Sequence, residues 1–315
     1  RIDVLKNKYK NLYKANSEKI KLKYGKYILF TTKFSRVNNI FEVSWMDTMK
    51  KRSLIDSKEK KEHQFRTAKL QEETFPLFLK LIKRTAKEFN DYSILIRPHP
   101  SEKKSIYFEL EKEFKNIAVC DDHISTNNYI LGSEILISSN CTTLLESFIL
   151  NKPSINYLPV KDEEYEYFVT SSLSKILRNE EEILNTLKKK NFGKLQDEIK
   201  ENLDLSKIQD FYVNFESEES CDKIIDYIGK IEPNKILKKD KYQNIVFYLL
   251  LLLKKKISDF SGRFSDKDAT KIAKSKRGNY DDQFIYEKFK ILARIENLNK
   301  FKIKKIFPGV RLFNN

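Results

Sequence analysis

The stretch that decides the fold lies between residues 93 and 159, and it contains SILIRPHPSE at 93–102 and ILISSNCTTLLE at 135–146. Both segments begin with a short apolar run and pass directly into a polar turn. Short apolar runs of this kind are typical of strands that are buried on both faces of a parallel sheet. Ligands of open α/β sheets bind beyond the carboxyl ends of the strands, so both turns are candidate ligand-binding segments.

Strands and helices alternate on either side of this stretch. Further strands are predicted at 27–32, 117–120 and 154–158. Helical spacing of apolar residues runs over 62–90, where Pro76 predicts a break or a first-turn position. Helices are also predicted at 126–131, 142–150, 180–190 and 217–231. The alternation indicates an α/β fold with a Rossmann-like, doubly wound parallel sheet, followed by a helical C-terminal region.

Four regions follow from this order of elements. We expect a helical connector at 1–25, a Rossmann-like nucleotide-sugar-binding domain at 26–160, its helical completion at 161–235, and a basic, partly amphipathic region at 236–315. In the last region, residues 242–256 fit either an anionic membrane surface or a packed helix with a solvated lysine end. The alternation at 301–304 fits either an edge strand or a basic surface patch.

Composition narrows the class of protein. The 315 residues include 61 Lys and Arg against 45 Asp and Glu, which gives a net charge of +16. Such an excess attracts polyanions, but no nucleic-acid recognition motif is present, so we expect no nucleic-acid partner. Three scattered cysteines support neither a disulfide framework nor a zinc site. The longest apolar run, 245–253, is shorter than the ~20 residues that span a bilayer. We therefore expect a cytoplasmic protein, and a second form of this expectation adds peripheral binding to the inner face of the cell membrane.

The turn after the strand at 135–137 predicts a phosphate site. The helix that follows begins with backbone N–H groups and the positive end of its dipole, which attract an anion. The residues expected to add donors are Ser138, Ser139, Asn140, Thr142 and Thr143. Glu146, one turn into the helix, is a candidate acceptor for the ribose hydroxyls of a donor. Helix capping explains the same residues, with Asn140 as an N-cap or with Thr143 and Glu146 as a capping box.

His99 stands between Pro98 and Pro100 after the strand at 93–96. Two prolines restrict the backbone, so the direction of the imidazole is set before a ligand arrives. We expect His99 to be the catalytic residue and a phosphate ligand. Arg97 is a second candidate phosphate ligand, or else it pairs with Glu102. The spacing of Cys120, Asp121, Asp122 and His123 is too generic for a metal site, so no metal and no cofactor are expected.

These motifs resemble the donor half of bacterial surface-carbohydrate biosynthesis proteins, which are GT-B-type glycosyltransferases related in motif to capsule Kdo transferases and to CDP-glycerol glycerophosphotransferases. The resemblance covers about 27–165 and includes the first strand and its loop, 31–38. It implies that His99, Ser138, Ser139 and Thr142 contact the donor phosphate and that Glu146 meets the nucleotide sugar. It makes Thr32, Ser35 and Asn38 candidate contacts for the acceptor or the sugar. The turn Ser-Ser-Asn-Cys replaces the Asp-Tyr-Ser-Ser type of turn that is expected in glycerophosphotransferases.

The expected function is therefore metal-independent transfer of a nucleotide-activated sugar, with a CMP-linked sugar favoured, onto a bacterial surface polysaccharide. The partners expected are a nucleotide-sugar donor, a glycan or lipid-linked acceptor, and an anionic membrane surface at 242–256. No second set of alternating strands is visible, so the chain is expected to lack an acceptor domain. Two alternatives stay open: a non-catalytic module that binds nucleotide sugar or membrane in a glycan assembly complex, and a glycerophosphotransferase.

Overall fold

The computed structural model describes residues 5, 9–40, 57–162, 166, 168–203, 226 and 287, together with the backbone of two strands near residue 310. The chain divides into two compact units, Arg1–Val213 with Asn279–Asn315, and Asn214–Gly278. All elements named below belong to the first unit. Two predicted segments lie outside the described residues: 242–256, and, apart from Asp226, the helix at 217–231.

A parallel sheet of six strands forms the centre of the first unit. Its strands are β1 Tyr27–Thr31, β2 Ser93–Arg97, β3 Ile117–Val119, β4 Ile135–Ser138, β5 Ser154–Tyr157 and β6 Lys175–Leu177. They lie in the order β3-β2-β1-β4-β5-β6, and every pairing is parallel. At the end of β1, Thr31 is paired with Arg97 on one side and with Ser138 on the other. The chain places β2 and β3 on one side of β1 and then crosses over to place β4, β5 and β6 on the other side. The topological switch point therefore lies between β1 and β4.

Helices cover both faces of the sheet. They are α1 Asn11–Tyr24, α2 Lys58–Glu88, α3 Ser105–Glu113, α4 Thr126–Gly132, α5 Thr143–Ile149, α6 Phe168–Ser172, α7 Glu180–Lys188 and α8 Phe192–Glu201. Ile28 and Phe30 of β1 pack in a cluster with Phe78 of α2, whereas Tyr27 and Leu29 pack in a second cluster with Ile20 of α1. Successive residues of a strand face opposite sides, so this division shows a doubly wound sheet and confirms the predicted fold class. Helix α1 is thus part of the core of this unit.

Two local predictions are corrected. Pro76 lies in the interior of α2, which is 31 residues long, so the predicted break and the predicted first-turn position are both wrong. A proline removes one N–H group and crowds one turn, and here the burial of Phe78, Leu81 and Ile82 on the sheet outweighs that cost. Strand β6 was not predicted, because its three residues begin with the exposed Lys175 and form no apolar run.

Two strands near the C-terminus, β7 Lys302–Phe307 and β8 Val310–Asn314, pair in antiparallel fashion. Residues 302–304 therefore lie in a strand, as one of the two interpretations of this segment predicts, and residue 301 lies outside the described residues. Among the described residues, no helix has both the length and the apolar character needed to cross a bilayer.

Candidate functional site

The loops that follow β1, β2 and β4 lie side by side at the carboxyl edge of the sheet, and two consecutive threonines at the end of β1 join them. The Thr31 hydroxyl is 2.9 Å from the Ser138 hydroxyl and 2.8 Å from the Thr143 hydroxyl. The Thr32 hydroxyl donates to a Glu102 oxygen at 2.8 Å and accepts the backbone N–H of His99 at 3.4 Å. Since neighbouring strands are ~4.8 Å apart, β2 and β4 end about 10 Å from each other. The His99 turn and the Thr143 turn therefore flank one strand end.

His99 lies in a tight turn and is hydrogen-bonded to the residues that follow it in the same turn. Its Nδ1 atom is 2.6 Å from the hydroxyl of Ser101 and accepts the backbone N–H of Ser101 at 3.3 Å. The backbone N–H of Glu102 donates to the His99 carbonyl at 2.9 Å. The backbone and the ring of His99 are thus both held by the residues that immediately follow it.

Glu102 connects this turn to the loop after β1. Its carboxyl is fully buried and accepts the Thr32 hydroxyl, the Phe34 N–H at 2.8 Å and the Tyr107 hydroxyl at 2.5 Å. Burial raises the pKa of Glu102 to about 7, although these three donors act in the opposite direction. Backbone bonds between 38–40 and 101–103 reinforce the same connection. Glu102 therefore fixes the loop after β1 against the His99 turn from a buried position.

The structure separates the four predicted phosphate-binding hydroxyls into two groups. Ser138 donates its hydrogen to the Thr31 carbonyl at 2.8 Å and accepts the hydrogen of the Thr31 hydroxyl. Because that hydrogen is used, Thr143 must be the donor in its contact with Thr31. Both hydroxyl hydrogens are therefore committed within the protein. The hydroxyls of the intervening turn, on Ser139 and Thr142, are the two that remain for a ligand.

Ser139 carries an unsatisfied group. Its Oγ atom is buried and has no hydrogen-bond partner among the described residues. Leaving a hydroxyl in this state is unfavourable unless a ligand or water completes it. Ser139 is therefore the strongest of the predicted hydroxyl donors.

Asn140 shapes the turn rather than capping the helix. Its φ of 51° lies in the left-handed region, which Asn tolerates better than most residues. Its N–H donates to the side-chain oxygen of Asn156 in β5 at 2.8 Å. The helix N-cap is Thr142, in helical conformation and without a side-chain cap bond, so neither predicted cap is formed. The N–H groups of Thr142 and Thr143 have no acceptor among the described residues.

Lys33 brings a positive charge to the edge. Its Nζ atom donates to the carbonyl of Asn140 at 3.3 Å, and its own carbonyl is held by Gln71 of α2 at 2.9 Å. Lys33 thus spans the loops after β1 and β4. An ammonium group next to a turn with unbonded N–H groups favours an anionic ligand.

Arg97 is engaged elsewhere. Its guanidinium donates to the carbonyls of Cys120 and Ile124 at 2.6 Å and to the carbonyl and carboxylate of Asp122. It also lies over the ring of Tyr129, 5.1 Å from the centroid. It does not pair with Glu102, so that alternative is wrong. These contacts hold the loop between β3 and α4 and assign Arg97 a structural role.

The other predicted contacts are buried. Asn38 donates to the Lys103 carbonyl at 2.9 Å and so ties the first two loops together. Ser35 is 8% exposed. Glu146 is 4% exposed on α5, and its contact with the ribose stays a prediction.

Sequence reasoning assigned no role in the site to Lys33, Ser101 or Asn156, and it considered Glu102 only as a partner of Arg97. A signal existed for Asn156, a polar residue inside an otherwise apolar strand, and for Lys33, which directly follows the threonines of β1. Glu102 and Ser101 had no signal beyond their position after His99. No group of three His, Cys, Asp or Glu side chains arranged to hold a metal occurs in the described part of the chain.

The chain is similar to one protein family and to several solved structures. The model of the family described as "CDP-Glycerol:Poly(glycerophosphate) glycerophosphotransferase" matches residues 1–230. Solved structures of the wall teichoic acid polymerase TagF are similar: the polymerase itself is 17% identical over 73% of this chain and 50% of that chain, with a TM-score of 0.41. A variant soaked with CDPG is 18% identical over 73% and 48%, with a TM-score of 0.42. The chain spans about half the length of these solved chains. No curated protein matches the sequence significantly.

Proposed function

Because the chain belongs to the CDP-glycerol:poly(glycerophosphate) glycerophosphotransferase family, we propose that it binds a CDP-linked donor at the carboxyl edge of its sheet and transfers glycerol phosphate to a surface polymer. The observation that carries the proposal is the position of the His99 turn and the 138–143 turn on the two sides of Thr31 and Thr32. A diphosphate needs donors from two directions, and these turns offer them.

In this reaction an acceptor hydroxyl attacks the phosphorus that bears glycerol, and the bond to the leaving CMP breaks. Negative charge accumulates on the phosphate oxygens, so fixed donors and cations lower the barrier. Ser139, Thr142, the N–H groups at the start of α5, Lys33 and His99 are the groups assigned to this task. The base that takes the proton of the acceptor is not among them.

Transfer of a CMP-linked sugar is the rival within the same class, since its donor also carries a cytidine nucleotide. Family membership favours glycerol phosphate over the sugar, and it reverses the ranking that the Ser-Ser-Asn-Cys turn suggests. A purely binding role is the rival from another class. The three are separated by the donor that binds and by whether CMP is released.

The test measures binding and turnover with the full chain. CDP-glycerol, CDP, a CMP-linked sugar and UDP-glucose are compared for their effect on the melting temperature, because a ligand that binds the folded state raises it. Release of CMP from CDP-glycerol is then followed with a poly(glycerophosphate) acceptor. We expect stabilisation by CDP-glycerol and acceptor-dependent release of CMP.

His99→Ala should reduce turnover by about 10²–10⁴-fold, the usual contribution of a catalytic histidine. The matched control is His63→Ala, since His63 is exposed on α2 and its carbonyl, not its ring, is used by Thr67. Stabilisation by the CMP-linked sugar alone would support the rival transferase. Binding of CDP-glycerol with no release of CMP would support the binding module.

A further inference from the structure

Ser101 makes two contacts with a single nitrogen of His99. The backbone N–H of Ser101 lies 3.3 Å from Nδ1, and the Ser101 hydroxyl oxygen lies 2.6 Å from the same atom. Ser101 is 7% exposed, so water has little access to this side of the ring. The contacts of Nδ1 are therefore set by the protein.

The two contacts determine where the ring carries its proton. A backbone N–H can only donate, so Nδ1 must present its lone pair to Ser101. A hydrogen on Nδ1 would face the hydrogen of that N–H and leave it without an acceptor, which is unfavourable in a buried turn. In the neutral imidazole, the proton then resides on Nε2. With Nδ1 as the acceptor, the Ser101 hydroxyl is a second donor to it.

Both residues are held in place independently of this contact. The His99 N–H donates to Thr32, and the His99 carbonyl accepts the N–H of Glu102. The Ser101 carbonyl accepts the N–H of Ile40 at 3.1 Å. Pro98 and Pro100 restrict the backbone on either side of His99. The ring and its partner thus belong to one preformed unit, as expected for a group whose orientation matters.

We propose that Ser101 is a positioning residue that keeps the imidazole of His99 in the tautomer with its proton on Nε2, so that His99 meets the donor phosphate as a neutral N–H donor. The role of the ring toward phosphate rests on the proposed function, whereas the tautomer does not. This arrangement differs from a phosphate-binding imidazolium, in which both nitrogens carry protons.

The test is nitrogen NMR of the full chain labelled with ¹⁵N-histidine, without any ligand. The sequence has only three histidines, and both His63 and His123 are exposed, so they report the behaviour of solvated rings in the same spectrum. A spectrum of His99→Gln assigns the third ring. For His99 in the neutral form, we expect one unprotonated Nδ1 signal and one protonated Nε2 signal, rather than the averaged shifts of the two exposed rings.

Variants of Ser101 test the cause. In Ser101→Ala the backbone N–H stays, but the shorter contact of Nδ1, with the hydroxyl at 2.6 Å, is lost. We therefore expect the His99 shifts to move part of the way toward those of His63 and His123, and Ser101→Thr should restore the original pattern. If His99 is catalytic, Ser101→Ala should also lower kcat by about 10-fold with little change in KM, the equivalent of one hydrogen bond. Ser105→Ala, an exposed serine four residues away, is the matched control.

Circular dichroism spectra of the variants identify any that fail to fold. If Ser101→Ala is one of them, Ser101→Cys takes its place, because a thiol is a much weaker donor than the hydroxyl. A protonated Nδ1 in the unmodified protein, or shifts that stay unchanged in folded Ser101→Ala, would overturn the proposal. The outcome is independent of the proposed function: a fixed Nε2–H tautomer without release of CMP would refute only the transferase, and release of CMP with an averaged tautomer would refute only the role of Ser101.

Discussion

Glu102 is the buried residue whose carboxyl group connects the loops after β1 and β2. Burial makes its ionised form unfavourable. Its pKa of about 7 in the folded protein lies above the ordinary value of 4.5. Between these two values the folded chain holds a proton that the unfolded chain releases. Stability contributed by this group is therefore lost as the pH rises from about 4.5 to about 7, and it is level outside that window.

Glu102→Gln should remove this dependence. The free energy of unfolding of the unmodified protein minus that of Glu102→Gln should fall by roughly 3 kcal/mol across the window. Urea denaturation at a series of pH values measures it. Glu109→Gln, on the exposed side of α3, should show no such trend. If the difference in the free energy of unfolding between the unmodified protein and Glu102→Gln does not vary with pH, the raised pKa of Glu102 is contradicted.

Gly132 shows how closely α4 and β1 approach. A Cβ atom at Gly132 would lie 2.3 Å from the Tyr27 hydroxyl oxygen and 2.9 Å from the Ser17 hydroxyl oxygen. The Tyr27 hydroxyl cannot easily retreat, because it is buried and donates to the carbonyl of Tyr129 at 2.6 Å. Gly132→Ala should therefore lower the free energy of unfolding by about 1–3 kcal/mol.

Gly193 is the matched control for this prediction. A Cβ atom at Gly193 in α8 would have no neighbour within 4 Å. Gly193→Ala should raise the stability by up to ~1 kcal/mol, because alanine is the better helix former. Equal effects of the two substitutions, measured by thermal or urea denaturation, would count against the packing described for Gly132.

At the scale of elements, Arg97 holds the loop between β3 and α4 through three carbonyl groups and one carboxylate. Lysine cannot reproduce this planar set of donors. Arg97→Lys should therefore lower the free energy of unfolding by about 2 kcal/mol and leave the Kd of CDP-glycerol nearly unchanged. Denaturation and calorimetric titration check the two parts.

Arg66→Lys is the control, since the pair of Arg66 with Asp162 is partly solvated and such pairs contribute less than ~1 kcal/mol. A large loss of donor affinity in Arg97→Lys, without a loss of stability, would return Arg97 to the phosphate ligands.

The elements differ in how well the sequence predicts them. Strands β1, β2, β4 and β5 follow from their apolar runs, because each is enclosed on both faces and carries little polar interruption. Strand β6 could not be predicted in this way, since only Ile176 and Leu177 are apolar. Helix α2 passes through Pro76 because its buried face lies on the sheet, and local propensity carries no information about that contact.

At the scale of the molecule, donor binding should protect one edge of the sheet. With CDP-glycerol, hydrogen exchange should slow in 31–36, 98–104 and 138–143, which surround the end of β1. Segments at the opposite edge, such as 89–92 and 150–153, precede their strands and should exchange at unchanged rates. Exchange followed by mass spectrometry measures both sets, and protection at the opposite edge alone would refute the site.

The site itself was predictable only in part. His99 and the 138–143 turn directly follow apolar strands, so their place at the strand ends could be inferred from the sequence. Glu102 acts on Thr32, 70 residues away, and Lys33 acts on Asn140, 107 residues away. Contacts of this kind depend on the order of the strands in the sheet, which the alternation of helices and strands does not specify.

Thr31 and Thr32 at the end of β1 connect the two turns that form the candidate site. One peptide bond separates the hydroxyl that holds the 138–143 turn from the hydroxyl that holds the His99 turn. A displacement of either turn is thus transmitted to the other over a few ångströms. Grafting a foreign loop onto this scaffold to recruit another nucleotide would require that this dipeptide be kept. Its loss would remove the hydrogen bonds that hold the His99 turn and the 138–143 turn in position.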